Sequence, residues 1–423
     1  MARTPTDFFT SQRQQVLEDL MGELPFNEKG FLHLIGGYSA KRLWPQLSYD
    51  AINNPDSGRD MSRPRSGDNG HAAFKEAVSP LIDPEDIGFR GCFLPEEAGG
   101  AGISIPSYMM SLEMIAQGNA SMALSLLIDG SVLNSIWGLG DDKQKERYVV
   151  NALRNKKMTS FALTEPNHGS DAGSLETKAL VKENNYVLSG QKIWITNGGW
   201  ADYYFVVVRT HPDKSRGPNG LSIIMVHKDE ISDMRQIDKF TVPGSYTAEL
   251  FFNEKAIPFE DSGVRRMVGQ RDSGFASAKD LLTGGRVTVA AYGLGIATEA
   301  FEMALDYAKE RPSGGKVLIE HQGMGMPLAD LATELDAARY LTYVAAKRMQ
   351  QGSMYYAEAS KAKLFATELA ARAAEFNRRI YASYGLSREY RCMQLVHDAG
   401  VGITGEGTSE IQRILIASNL KKV

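Results

Sequence analysis

The stretch TKALVKENNYVLSGQKIWIT, residues 177–196, decides the fold because its pattern differs from that of the sequence on either side. Apolar and polar residues alternate around Asn184-Asn185, which is typical of a β-hairpin with its turn at this pair. Further strand-like runs follow, separated by Gly, Pro and Asp: DYYFVVVRT (202–210), LSIIMVHKD (221–229) and YTAELFFNE (246–254). The sequence therefore predicts a compact antiparallel β module over about residues 159–272.

The regions on both sides of this module show the spacing of amphipathic helices. Before it, residues 8–24 and 107–136 carry apolar residues at helical intervals. After it, three long helical segments and a short final one predict a bundle, and one of them has an apolar stripe at Leu328, Leu331, Leu335, Ala338 and Leu341. We expect an α+β multidomain chain with a helical domain (1–158), a β domain (159–272) and a C-terminal helical bundle (273–423).

Composition limits the function classes. The 423 residues carry 47 basic and 51 acidic side chains, a net charge of −4, which gives no reason to expect nucleic-acid binding. Two cysteines predict no disulfide framework and a reducing compartment. We expect no membrane insertion and no signal peptide, because no sufficiently long apolar segment is evident. We also expect no metal site, because the seven histidines are scattered. A cytoplasmic location is expected, with the mitochondrial matrix as the alternative.

Residues 51–70, AINNPDSGRDMSRPRSGDNG, are rich in residues that cannot bury an apolar face, and they predict a loop. Arg59, Arg63 and Arg65 within it could reach a phosphate group. A hydrated surface loop is the favoured interpretation, because charge clusters in loops usually stay solvated.

The stretch GVGITGEGTSEIQR, residues 400–413, contains the G-x-G-x-x-G spacing of a dinucleotide-binding loop. Only 18 residues follow Gly405, so no second strand of a βαβ unit can follow and this interpretation fails. The glycines predict instead a tight path with positive φ. Ser409 with Gln412 predicts a capping box, which places Glu406 just before a helix N-terminus, a position that favours an anion. On the turn alone, a surface glutamate and a catalytic carboxylate both remain open.

Several segments, in order and at similar spacing, resemble the acyl-CoA dehydrogenase flavoprotein family. The resemblance covers roughly residues 86–420. Its segments are LPEEAGGAG (94–102), GDDKQKERY (140–148), FALTEPNHGSDAGSLETKA (161–179), LSGQKIWITNGGWADYYFVV (188–207), EHQGMGMPLADL (320–331) and EGTSEIQR (406–413). The resemblance implies a helical domain, a central β-barrel-like domain and a C-terminal four-helix bundle around FAD. It also implies a homo-oligomer, a tetramer or a dimer, in which a neighbouring subunit contacts each flavin.

The resemblance also assigns roles to individual residues. Glu406 would be the catalytic base. Substrate contacts would come from Ser170, Arg286 and Gly407, and the backbone N–H of Glu406 would help to hold the thioester oxygen. FAD would be contacted by Phe161, Leu163, Thr164, Gly169, Ser170, Trp194, Ile195, Thr196, Arg311, Gln322, Arg379, Ser383, Thr408 and Glu410. Some members place the base immediately before the arginine that corresponds to Arg286; here that residue is Gly285.

The chain also departs from the family pattern. The segments that would clasp FAD across a subunit interface, at Arg311–Gly315 and Arg379–Ser383, lack the usual aromatic residue and the usual glycines. His168 stands where a small residue is usual, and a packed, uncharged ring is the favoured interpretation. Asp129 lies in an apolar helix that lines the acyl pocket in relatives, and it hints at a polar acyl chain.

The resemblance implies α,β-dehydrogenation of an acyl-CoA thioester to the 2-enoyl-CoA. A base removes the α-proton and the β-hydrogen leaves as hydride to flavin N5. An electron-transfer flavoprotein is the expected acceptor, in fatty acid or amino acid catabolism. Alternatives are an acyl-CoA oxidase, a dehydrogenase linked to acyl carrier protein, or a non-dehydrogenating flavoprotein on the same scaffold.

Overall fold

The computed structural model describes residues 15–16, 18–19, 26–39, 72–353 and 355–421. The loop predicted at 51–70 and most of the helix predicted at 8–24 lie outside these ranges. The N-terminal helices are α1 (Phe26–Tyr38), α2 (Ala72–Ile82), α3 (Ile105–Gly118), α4 (Ala120–Leu139), α5 (Asp142–Lys145) and α6 (Asn151–Arg154), and a π-helical turn (Glu146–Val150) joins the last two.

The helical region predicted at 107–136 is two helices, because the chain breaks at Asn119. Asn119 is extended (φ −155°, ψ 103°), and its side chain accepts a hydrogen bond from the Met122 backbone N–H, which begins α4. By its length and apolar composition α4 could cross a membrane, and it is the one such helix in the described ranges. The sequence prediction did not recognise this apolar segment. Two-thirds (67%) of its most apolar window is buried against the rest of the protein, as in the core helix of a globular domain.

The strands of the structure are β1 (Thr159–Ala162), β2 (Lys178–Lys182), β3 (Asn185–Thr196), β4 (Tyr203–Arg209), β5 (Leu221–His227), β6 (Asp233–Gln236), β7 (Thr247–Pro258), β8 (Glu260–Asp261), β9 (Val264–Arg265), β10 (Met267–Val268), β11 (Pro312–Ser313) and β12 (Lys316–Val317).

Eight of these strands form the central sheet, with the order β10-β5-β4-β2-β3-β7-β6 and with β1 beside β4; β8 pairs with β9 and β11 with β12. Most neighbours pair antiparallel, as predicted, but β1 and β2 each meet β4 in parallel, so the sheet is mixed.

The hairpin of β2 and β3 has its turn one residue earlier than predicted. Lys182 pairs with Asn185, which leaves Glu183-Asn184 as the two-residue turn, and Glu183 takes a positive φ of 51°. Further along β3, the pairing with β7 shifts register between Lys192 and Ile195. Trp194 lies in this bulge with φ 61°, and such a bulge re-aims a side chain relative to the sheet.

The C-terminal region consists of α7 (Gly274–Glu310), α8 (Gln322–Gln350), α9 (Tyr356–Ile380), α10 (Cys392–Thr404) and α11 (Ser409–Leu420). The predicted stripe on α8 is buried at Leu328, Leu331, Leu335 and Ala338. The sequence did not predict α10, because Gly400 and Gly402 were assigned to a tight turn. Gly402 is instead a contact glycine: a Cβ there would lie 2.8 Å from Thr367 Cγ2 on α9. The helix–sheet–helix order predicted from the sequence is confirmed.

Candidate active site

Glu406 lies in the short turn between α10 and α11, where the backbone is least regular. Its φ is 49° and that of Gly407 is 90°, whereas Gly405 has an ordinary φ of −73°. The predicted positive-φ path therefore holds only for Gly407 among these glycines. Thr408 caps α11, since its side chain accepts a hydrogen bond from the Ile411 N–H. The predicted capping box at Ser409 is therefore wrong, because the cap lies one residue earlier.

Both carboxylate oxygens of Glu406 are buried and have no hydrogen-bond partner within the described chain, although the residue as a whole is partly exposed. The carboxylate lies directly against α7 at Gly285. A Cβ built on Gly285 would lie 1.4 Å from Glu406 Oε2 and 2.3 Å from its Cδ. The carboxyl group thus occupies the space that any side chain at position 285 would need.

Burial raises the pKa of Glu406 to about 8, from an ordinary 4.5. The positive charges of Arg286 and Lys363 lower it and partly offset the desolvation. Arg286, the neighbour of Gly285 on α7, is itself buried and donates to Thr283 Oγ1 at 3.2 Å. A carboxylate with a pKa near neutrality in a dry site has the properties of a general base.

A cavity of about 250 Å³ has Gly285 in its wall. It lies between α3, α4 and α7, and the loop before α9 closes one side. Its lining is mixed, with apolar, hydroxyl and amide side chains and four glycines: Phe93, Ile105, Tyr108, Met109, Gly130, Ser131, Asn134, Ser135, Gly138, Leu139, Ser277, Asp280, Leu281, Gly284, Gly285, Thr288, Met349 and Tyr355. The space suits the acyl part of a thioester whose α-carbon would meet Glu406.

The residues predicted to hold the flavin ring lie on two adjoining segments, the end of β1 and the bulge of β3. The Ile193 backbone N–H donates to the Thr164 carbonyl at 2.9 Å, and Ser160 Oγ donates to the Thr196 carbonyl at 2.6 Å. These bonds bring Phe161–Thr164 next to Trp194–Thr196. Leu163 and Ile195 are buried in the protein core, so contact with a cofactor is left mainly to their neighbours.

Trp194 tests whether a flavin fits here. Its indole is 57% exposed, although indole is a large apolar surface that proteins usually cover. A flat heterocycle stacked on this ring would cover it. The exposed indole beside the polar Thr164 and Thr196 therefore fits an isoalloxazine ring. Gly169 and Ser170 lie on the exposed loop after β1, with open space at Gly169.

Glu165 and Lys192, which the sequence did not single out, fix this loop. The Glu165 carboxylate accepts from Lys192 Nζ at 2.8 Å and from the backbone N–H groups of Glu176 and Thr177 at 2.7 and 2.9 Å. The His168 side chain, predicted to be packed and uncharged, is 19% exposed, with Nε2 4.0 Å from a carboxylate oxygen of Glu176. Glu165 and Lys192 are 27 positions apart in the sequence. The sequence pattern alone could not predict this ion pair, because only the folded loop brings the two side chains together.

The predicted FAD clasp lies far from Glu406 within one chain. Arg311 ends α7, 26 residues after Gly285, which at about 1.5 Å per residue is roughly 39 Å along the helix. Its guanidinium lies over the Tyr384 ring, beside the segment of Arg379 and Ser383. Arg311, Gln322, Arg379 and Ser383 are all exposed. One chain therefore does not bring this group to Glu406. Thr408 and Glu410, by contrast, lie beside Glu406 at the start of α11, and Glu410 is exposed.

Asp129 is a structural residue. Its carboxylate accepts from Arg90 Nε at 2.5 Å, and from the Thr159 backbone N–H and Oγ1 at 2.7 and 2.8 Å. Arg90 is also buried and donates to the Ala152 carbonyl. All the carboxylate's capacity is used inside the protein, so the prediction that Asp129 faces a polar acyl chain is wrong. Asp129 joins α4 to β1 through Thr159 and to the loop before α3 through Arg90.

Replacing Asp129 by alanine is expected to destabilise the fold by about 3–5 kcal/mol, because the Arg90 charge would stay buried without a counter-ion. Denaturant unfolding measures this free energy. Asp86→Ala, at an exposed aspartate in the preceding loop, should change it by less than about 0.5 kcal/mol. Equal, small effects for both variants would contradict a structural role for the Arg90–Asp129 pair.

A buried carboxylate against a helix, an adjoining acyl-sized cavity and an exposed indole on a sheet define a flavoprotein oxidoreductase of the kind the motifs indicate. The family models for the N-terminal, middle and C-terminal domains of acyl-CoA dehydrogenase match residues 70–156, 160–254 and 272–421. An acyl-CoA dehydrogenase of Bacillus subtilis (strain 168) is 39% identical over 336 residues, which cover 79% of this chain and 87% of the relative. The chain belongs to the acyl-CoA dehydrogenase family.

Solved structures agree with this membership. Butyryl-CoA dehydrogenase from Megasphaera elsdenii superposes with a TM-score of 0.83 at 32% identity, over 94% of this chain and 99% of that one. A chain from the electron transferring flavoprotein study of Acidaminococcus fermentans also gives 0.83, at 30% identity, over 94% of this chain and 98% of that one. The α+β fold and the oxidoreductase class predicted from the sequence are confirmed.

Proposed function

We propose that the protein oxidises an acyl-CoA thioester to the 2-enoyl-CoA, with the Glu406 carboxylate as the base that removes the α-proton. The observation that carries this proposal is the Glu406 carboxylate itself: buried, without a hydrogen-bond partner, and in contact with Gly285 at the wall of the cavity. An unpaired buried carboxyl group is costly to a fold, so its retention in this position points to a catalytic role.

The thioester carbonyl acidifies the α-carbon, yet the proton still requires a base at contact distance in a site without water. Glu406 supplies that base, and the backbone N–H of Glu406 donates to the thioester oxygen as negative charge develops on it. The positive charge of Arg286 stabilises the ionised carboxylate, because it lowers the Glu406 pKa from the higher value that burial alone would give. Ser170 and Gly407 complete the predicted substrate contacts.

FAD would supply the hydride acceptor for the β-hydrogen. Its ring would be held by Thr164, Trp194 and Thr196, and its adenosine side by Thr408 and Glu410. Arg311 and Arg379 would reach its phosphates from a second subunit, since Arg311 lies roughly 39 Å from Gly285 along α7 in its own chain. Arg379 lies in the last turn of α9, close to Tyr384, whose ring the Arg311 guanidinium covers. A homo-oligomer, a dimer or tetramer, therefore forms part of the proposal, and so does a cytoplasmic location.

We infer that an electron-transfer flavoprotein accepts the electrons, because a structure from an electron transferring flavoprotein study is among the similar ones. The decisive experiment is a panel of acyl-CoA thioesters, beginning with butyryl-CoA, scored by loss of the flavin absorbance. Bleaching without peroxide in air supports a dehydrogenase, whereas peroxide would identify an oxidase. Bleaching only by the carrier-protein thioesters would identify a carrier-linked enzyme. A flavin-loaded protein that no thioester bleaches would contradict dehydrogenation.

A further inference from the structure

The turn that carries Glu406 is fixed by side chains from other helices. Gln412 Nε2, on α11, donates to the carbonyls of Gly407 at 2.9 Å and of Glu406 at 3.3 Å. Lys363 Nζ, on α9, donates to the same Gly407 carbonyl at 2.8 Å and to the Ile403 carbonyl at 3.3 Å. The lysine thus binds the chain on both sides of Glu406, where φ is positive at two successive residues.

Lys363 is an unusual residue to find here. It is completely buried, and its hydrogen-bond acceptors are neutral carbonyl oxygens rather than a carboxylate. The charged groups that act on it are Glu406, Glu368 on its own helix, Arg286 on α7 and Glu410 on α11. Burial lowers its pKa to about 8, with the three carboxylates acting in the opposite direction. Packing alone does not require such a charge, since apolar side chains often replace buried charges without loss of stability.

We propose that Lys363 is a positioning residue for the reaction: its ammonium group fixes the Ile403–Gly407 turn so that the Glu406 carboxylate lies against Gly285, and its charge favours the ionised form of that carboxylate. This inference rests on the proposed function of Glu406. Two separable effects follow. The hydrogen bonds set the direction of the Glu406 side chain, and the charge sets the pH above which Glu406 can accept a proton.

The two effects predict different behaviour for two variants. Lys363→Met removes both the hydrogen bonds and the charge, whereas Lys363→Gln keeps an N–H donor, one bond shorter, without the charge. Without the charge, the pKa of Glu406 rises further, because one of the two cations that lower it is lost. The acid limb of the pH–rate profile for flavin bleaching should move to higher pH in both variants. Above that limb, Lys363→Gln should recover most of the wild-type rate.

We expect Lys363→Met to lower the bleaching rate at pH 7 by about 10- to 100-fold, as for a base misplaced by about 1 Å, with an acid limb shifted to higher pH. Lys361→Met, at an exposed lysine on the same helix, is the matched control and should match wild type. The inference is overturned if both Lys363 variants keep the wild-type acid limb, whatever their rates. Should the methionine variant fail to fold, the glutamine variant alone decides.

A second readout needs no flavin. The Glu406 contribution to stability, measured as wild type minus Glu406→Gln, should fall as pH rises from about 4.5 to 8, because the folded protein holds a proton on Glu406 that the unfolded chain releases. In the Lys363→Met background the same difference, with and without Glu406→Gln, should decline to higher pH, as followed by thermal unfolding of the cofactor-free proteins. An unchanged end of the decline contradicts the inference. If Glu406→Gln retains full bleaching, the proposed base itself fails, and the Lys363 variants are not needed to show it.

Discussion

Glu406→Gln is expected to lower the rate of flavin bleaching by an acyl-CoA substrate by about 10²- to 10⁴-fold. The carboxamide has nearly the same shape but cannot accept the α-proton, and that range is the usual contribution of a positioned general base. The three atoms nearest to the position of a Gly285 Cβ all belong to the Glu406 carboxyl group, whereas the Asp280 carboxylate, which also lines the cavity, accepts a hydrogen bond from Tyr356 Oη. Stopped-flow absorbance in the flavin band measures the rate.

The variant must keep its cofactor for this result to be informative. None of the proposed ring contacts is changed, so flavin content per chain should equal that of wild type. Glu254→Gln, at an exposed glutamate on β7, is the matched control and should bleach within a few-fold of wild type. A Glu406→Gln protein that is yellow and bleaches at the wild-type rate would remove Glu406 from the reaction.

The same variant has a stability signature of opposite sign. Burial raises the pKa of Glu406 to about 8, so folding favours its protonated form, and ionisation above the unfolded pKa of about 4.5 destabilises the native state progressively up to pH 8. Glu406→Gln removes this penalty. We expect the cofactor-free variant to be more stable than wild type by a few kcal/mol at pH 8 and nearly equal at pH 5. A loss of activity with a gain of stability identifies a residue retained for function.

The sequence predicted Glu406 because its evidence is local: a carboxylate between two glycines, before a helix, within an ordered set of family segments. It predicted α7, α8 and α9 because the periodic spacing of apolar residues in a long amphipathic helix can be read directly from the sequence. It missed α10 because glycine favours turns on average, and only the neighbouring Thr367 shows that Gly402 is a contact residue. Tertiary packing overrode local preference there.

The partners of buried charges could not be predicted for a related reason. Arg90 and Asp129 are 39 residues apart, and Lys363 and Gly407 are 44 apart. An isolated charge in an apolar helix indicates that a partner exists but not which one. Asp129 was therefore assigned to a ligand when its partner is Arg90. The burial of Lys363 could not be predicted, because a lysine on an amphipathic helix is ordinarily a surface residue.

Gly285→Ala is the second substitution with a large expected effect. The new methyl group would lie 1.4 Å from Glu406 Oε2 and 2.6 Å from Oε1, so the carboxyl group must leave its place. We expect the bleaching rate to fall by about 10²-fold or more, because a displaced base loses its contact with the α-carbon. Gly30→Ala is the matched control: it lies inside α1, its methyl group meets no atom within 4 Å, and it gains the same helix propensity.

The contact between Gly285 and Glu406 also predicts a compensating pair. In a Glu406→Gly background the space beside α7 is vacant, and a glutamate introduced at Gly285 can place its carboxylate there from the opposite side. We expect Glu406→Gly with Gly285→Glu to bleach at least about tenfold faster than Glu406→Gly alone, since one general base is worth more than that. Glu406→Gly with Gly284→Glu, which directs the new carboxylate toward Met349, should show no such recovery. Recovery in both pairs, or in neither, would contradict the geometry in which the two positions share one catalytic space.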